Sequence, residues 1–191
     1  TYGFQKLALH YWAKGAYEQN KLPYIIIVPF NAVGTGEYRA KVDKAITSGN
    51  VKLSLGHVIP DLIQKVLVKQ NPLHLFGNGE QIRHYTYAGD IATAILLALN
   101  NENAINKSFN ISTDVGYTVI DVAKMIWEKV HGNSKDLKFA FDAPFQYDVK
   151  CRIPSVVNAK NILGFEAKTT LSEVLDEMIP WIKNLVSLGK I

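Results

Sequence analysis

A single cysteine, Cys151, stands in the 191 residues, so no disulfide can close within the chain. Neither Cys-x-x-Cys nor His-Glu-x-x-His spacing occurs among that cysteine and the five histidines, and no metal site is expected. Long apolar runs are missing too. The most hydrophobic stretch, YIIIVPF (residues 24–30), is far shorter than the ~20 residues that span a bilayer, so no membrane partner is expected. Block charge is also absent. The net charge is +4, but the lysines are scattered, and the densest stretch, YRAKVDKAITSGNVK, includes Asp43 and only one aromatic ring. No nucleic-acid partner is expected from such a distribution. A small phosphate-bearing ligand stays open, because one or two arginines suffice to grip it. Finally, VGTGEYRA holds G-x-G without a third glycine or a helix opening, so the chain has no dinucleotide-phosphate loop of its own. These absences together predict a soluble, cytoplasmic, metal-free protein.

What is present is enough for a core: 48% of residues are hydrophobic and 20% charged. Leu7, Ala8, Tyr11, Trp12 and Gly15 recur at helical spacing, predicting an amphipathic helix over roughly residues 2–20. YIIIVPF, bounded by Pro23 and Pro29, reads as a strand covered on both faces. Pro60 suits the first turn of a helix whose apolar face is Ile59, Leu62, Ile63, Val66 and Leu67. HLF then leads into a tight turn, FGNGE. Asp90 is the expected N-cap of IATAILLALNN, and FNIS reads as another buried strand. Thr118 and Asp121 form a capping-box pattern ahead of VIDVAKMIWEKV, and LKFAFD reads as a strand. Gly164 should stop a short helix after NAKNI, and Pro180 should kink the last helix, TLSEVLDEMIPWIKNLV. Helices alternating with buried strands predict the α/β class.

At the start of the chain, Tyr2 and Lys6 are four residues apart and project from one helix face. A free phenol has a pKa of about 10, so a phenolate base at neutral pH needs a cation one helical turn away. Lys6 is in the right place. The alternative is an ordinary exposed pair, since this spacing is common in helices.

Read in order, the segments resemble the second half of an extended short-chain dehydrogenase/reductase, the branch of NAD-dependent nucleotide-sugar epimerases and dehydratases. TYGFQK resembles the family's Y-G-x-x-K, IIIVPFNAVGTGE its R-P-F-N-x-Y-G-P strand end, and HVIPDLIQKVL its helix into the substrate lobe. LFGNGEQIRHYTYAGDIATAIL resembles Y-G-D-G-x-Q-x-R-D-F-x-Y-V-D-D-V-A; FNIS, the helix after Thr118 and CRIPSVVNAKNILGFEAKTTLSEVLDEMIPWI follow in family order.

The resemblance implies the C-terminal part of a Rossmann-type parallel sheet (residues 1–33 and 86–112) plus a smaller α/β nucleotide-sugar lobe (residues 34–85 and 113–191). It also implies that the family's glycine-rich half is encoded ahead of Thr1 in a longer protein. NAD is the implied cofactor, with NADP left open, held by Tyr2, Lys6 and Pro29; Tyr2 and Lys6 are the implied catalytic pair. Asn31, His57, Val58, Leu75, Phe76, Arg83 and Arg152 are the implied contacts to a nucleotide-sugar, the two arginines to its diphosphate. The residue chemistry leaves core or capping roles open for His57, Leu75 and Phe76, a turn role for Asn31 and surface ion pairs for the arginines. A homodimer through the helix that starts at Tyr2 is implied as well, with Tyr11 and Trp12 at the contact. The activity implied is epimerisation at the sugar C4, as in UDP-glucose 4-epimerase. A 4,6-dehydratase or decarboxylase of the same family, or a non-catalytic sensing module, are the alternatives. Departures from the family pattern bear on the substrate: Val28 replaces arginine, His84 aspartate, Ala88–Gly89 Val-Asp and Ser155 aspartate, and the stretch from Tyr38 to Gly56 is longer than expected.

Overall fold

A computed structural model describes residues 2–36, 47–52, 57–144 and 149–190. The end of VGTGEYRA and much of the long Tyr38–Gly56 stretch lie outside the described residues. The chain is α/β, as the alternation of elements predicts, and its longest strand pairs are parallel.

The β-branched run forms β1 (Ile25–Pro29), and its parallel partner is the strand β8 (Lys107–Ile111), in the register Ile27↔Phe109. Parallel neighbours need a crossover, and helix α3 (Ala88–Leu99) lies within it and packs on β1. Its buried positions are Ile91, Ala94 and Ala98, small enough for close approach of helix to strand. With Phe109, Ile111, Ala159, Leu163 and Phe165 they make the smaller of two cores. The last three of these come from the stretch read in sequence as the second lobe.

A larger core forms around the parallel pair β5 (Leu73–Phe76) and β10 (Phe139–Asp142). Three helices pack on one another there: α2 (Val58–Leu67), α4 (Val119–His131) and α5 (Leu171–Ser187). Ile59, Leu62, Ile63 and Val66 are buried as predicted, each burial worth roughly 1.5–3 kcal/mol, while Leu67 is half-buried. Short pairs complete the framework: β2 (Ala32–Val33) beside β7 (Thr86–Tyr87), β3 (Thr47–Ser48) beside β4 (Val51–Lys52), and β6 (Ile82–Arg83) beside β9 (Tyr117–Thr118).

Local signals were mostly obeyed. The Thr118–Asp121 capping box is formed in both directions, at 3.0 and 3.1 Å, and a second one joins Thr170 and Glu173 ahead of α5. Gly164 takes the left-handed conformation that closes the π-helical turn Ala159–Leu163. Helix α5 continues through Pro180, which cannot donate to the carbonyl of Asp176.

Three expectations need correcting. Asp90 is not an N-cap: β7 runs straight into α3, whose N-cap is Tyr87, and the Asp90 carboxylate instead accepts from the backbone N–H groups of Lys168 and Thr169 at 3.0 and 2.9 Å. Strand β1 is not covered on both faces, because Ile25 and Ile27 pack into the smaller core but no residue of the strand is fully buried. Helix α1 (Tyr2–Asn20) forms where predicted, yet it buries no side chain; Phe4 and Trp12 are 75% and 76% exposed. Among the described residues, Tyr17 meets the Tyr24 ring edge-on, but no contact buries an apolar face of the helix.

Candidate active site

Helical spacing brings the first pair together. The Lys6 ammonium lies 5.4 Å from the centroid of the Tyr2 ring, one turn along an exposed helix, so the cation faces the phenol as the sequence implies. Beyond α1 the chain passes through β1 to Pro29, its last residue, and Asn31. Asn31 adopts φ +36°, donates its Nδ2 to the His84 carbonyl at 3.1 Å, and accepts the Thr86 N–H at its own carbonyl. It is therefore both a turn residue and a stitch between the end of β1 and the segment after Arg83.

The two arginines follow the members of one backbone bridge. Ile82 bridges Cys151 in parallel and donates its N–H to the Lys150 carbonyl at 3.0 Å. One residue further on, Arg83 and Arg152 fall at adjacent positions of neighbouring extended segments. Arg83 is half-buried and its Nη1 donates to the Ile82 carbonyl, whereas Arg152 is exposed. A permanently charged planar fork on each of these two segments is the kind of donor that a diphosphate requires.

The remaining candidates divide by strand and helix geometry. His57 is the N-cap residue of α2 in extended conformation, but its side chain makes no capping bond to the helix, and Val58 after it is 40% exposed. Strand alternation sends Leu75 into the larger core, 2% exposed, and leaves Phe76 half-buried at the end of β5. What Leu75 can offer a ligand is its backbone. The turn after Phe76 is tight at Gly79, where φ is +75° and a Cβ would come within 2.7 Å of Ile120 Cγ1. Among the described residues, no three His, Cys, Asp or Glu side chains come together as a metal-holding group, and no helix is long and apolar enough to cross a membrane.

Comparison with known proteins decides the family. The model of the NAD dependent epimerase/dehydratase family matches residues 1–112. The chain belongs to that family. Among curated members, it is 30% identical over 135 residues to UDP-glucose 4-epimerase of Bacillus subtilis, a match covering 65% of this chain and 38% of that one. It is 27% identical over 124 residues to UDP-glucuronic acid decarboxylase 4 of Arabidopsis thaliana, covering 65% and 27%. The crystal structure of Thermotoga maritima UDP-glucose 4-epimerase with UDP-glucose superposes with a TM-score of 0.77 at 26% identity, covering 97% of this chain and 54% of that one. The chain thus spans well under half the length of these curated family members and about half of the crystallised one.

Two features of this epimerase/dehydratase family member were not foreseen. Glu177 of α5 accepts from both Thr35 Oγ1 and Tyr87 OH at 2.9 Å, anchoring the turn after β2; hydrogen bonding to that carboxylate raises the Tyr87 pKa. Residues 142 and 90 positions apart leave no local signal of such a contact. The second feature is a polar cluster beside the larger core, around the buried Lys65. Burial lowers the Lys65 pKa, against the opposing charges of Asp61 and Asp142. Burial pushes the Asp142 carboxyl up, but hydrogen bonds from His74 and Ser48, with the charges of His74 and Lys65, outweigh it and the net shift is downward. His84, which replaces the family's aspartate, is 3% exposed, and its Nδ1 lies 3.0 Å from the Thr113 carbonyl.

Proposed function

We propose that the protein carrying this chain is an NAD-dependent nucleotide-sugar epimerase acting at the sugar C4, of the UDP-glucose 4-epimerase kind. The observation that carries the reading is the Tyr2–Lys6 pair, a phenol faced by an ammonium on a helix that buries neither. Bound NAD would supply reversible hydride acceptance at C4. Tyr2 would take and return the proton of the C4 hydroxyl, and Lys6 would favour the phenolate and hold the cofactor's ribose, with Pro29 beside it at the C-terminal end of β1. Ligands of parallel sheets lie beyond strand C-termini, which suits both Pro29 and Asn31.

The substrate reading follows from the arginines. Arg83 and Arg152 would clamp the diphosphate, Asn31 would meet the sugar end through Oδ1, and His57, Val58, Phe76 and the Leu75 backbone would line the base. In this reading residues 1–33 and 86–112 serve the cofactor and residues 34–85 and 113–191 mainly the substrate, although the smaller core also draws Ala159, Leu163 and Phe165 from the latter stretch. The exposed apolar side chains of α1, Tyr11 and Trp12 among them, would meet a second copy in a cytoplasmic homodimer. A decarboxylase is the second reading, favoured by the similarity to the plant enzyme.

Incubating the native protein and NAD with UDP-glucose or UDP-glucuronate, and following the sugar by NMR, separates the two. The C4 epimer with an intact nucleotude-sugar skeleton supports the epimerase; loss of carbon dioxide from UDP-glucuronate supports the decarboxylase, and no turnover of either sugar contradicts both.

A further inference from the structure

The proposed chemistry leaves unused a buried charge, Lys65, that joins several elements. Lys65 is 3% exposed on α2, between Leu62, Ile63 and Val66, and its Nζ donates to Ser48 Oγ and to the His74 carbonyl, both at 2.8 Å. Ser48 Oγ in turn donates to Asp142 Oδ2 at 2.8 Å, while His74 Nδ1 pairs with Asp142 Oδ1 at the same distance. Gln70 closes the cluster: its Oε1 accepts the His74 N–H, and its Nε2 donates to the Ser48 carbonyl and Asn50 Oδ1. Gly49, between the two hairpin partners, has φ +57°, and a Cβ there would sit 2.6 Å from both Gln70 Nε2 and His74 Cδ2. The β3–β4 hairpin, α2, β5 and β10 therefore converge on one ammonium.

Burying the Lys65 ammonium is a poor way to gain stability, since desolvation offsets most of the attraction to its partners and well-packed apolar residues do as well. What the cluster does secure is geometry. The same Nζ that holds the His74 carbonyl lies 5.4 Å from the centroid of the Phe76 ring, two residues along β5 on the same strand face. β5 ends at Phe76, and the turn after it leads to Arg83.

We infer that Lys65 is a positioning residue for the nucleotide end of the substrate: it fixes β5 and the Phe76 ring so that a nucleoside diphosphate meets an already ordered base site. Lys65 touches no reacting atom. The inference rests on the proposed reading that Phe76 lines the base, so its test starts from nucleotide binding alone.

Calorimetry of the native protein with UDP gives that baseline. Lys65→Met keeps the length of the side chain and removes the cation. It is expected to weaken UDP binding about tenfold and raise KM in parallel, with kcat within about twofold. Phe76→Leu added to Lys65→Met should cost little more, because the two residues act on one feature; a merely structural lysine would lower kcat and melting temperature without this coupling. Ser48→Ala, which removes one Nζ acceptor and cannot be confused with loss of the core charge, should weaken UDP binding about threefold. UDP binding unchanged in Ser48→Ala, or in folded Lys65→Met, overturns the assignment. If the wild-type protein binds no UDP, the base-site reading itself fails.

Discussion

The residues that matter were legible where helical spacing alone brings them together. Tyr2 and Lys6 meet because positions four apart share a helix face, whatever the rest of the chain does. Arg83 and Arg152, 69 positions apart in the numbering of the chain, are assigned to one diphosphate by resemblance alone; the Ile82–Cys151 bridge that brings their segments together has no local signal. Leu75 and Phe76 show the limit from the other side: strand alternation assigns them to opposite faces, but only the fold shows which face is the core. In the native protein, Tyr2→Phe keeps the ring and should leave nucleotide-sugar affinity unchanged, while turnover falls by roughly 10²–10⁴-fold, as for loss of a general acid/base. Steady-state kinetics beside calorimetry checks this. Arg83→Ala should do the reverse, raising KM with kcat little changed, because a diphosphate contact acts equally in ground and transition states.

Elements with a strong local rule came out as read. The helix after Thr118 begins where its capping box says, and the β-branched run became β1 in the parallel pair with FNIS that a Rossmann-type sheet needs. Asp90 failed because the rule for a cap needs a non-helical residue, and here a strand leads directly into the helix. The Lys65 cluster was illegible, since four elements supply its members and no two of the bonded side chains are helical neighbours. One consequence can be measured on the element pair β5–β10. Because the folded state lowers the Asp142 pKa, the unfolded chain holds that proton at pH values where the folded chain has released it. Stability therefore rises with pH through that window, is complete above the ordinary carboxylate range, and is lost as pH falls through the folded value. Urea midpoints between about pH 3 and pH 6 should show this slope, and Asp142→Asn should flatten it.

Over the whole molecule, the two cores differ in how completely they are covered. The larger is closed by α2, α4 and α5, whereas the smaller meets β1 without burying any of its residues fully, and among the described residues none of α1 is buried. Composition could not reveal this, because apolar residues at helical spacing read alike whether or not a partner is present. The family match and the α/β fold agree with one another, and the proposed enzyme centres on the Tyr2 helix and the end of β1. The most direct test of C4 epimerisation by hydride transfer is to run the native protein with NAD and UDP-glucose in deuterium oxide and read the product by NMR. The account predicts UDP-galactose whose C4 hydrogen came from the substrate, with no deuterium at that carbon; deuterium at C4, or no UDP-galactose at all, would contradict it.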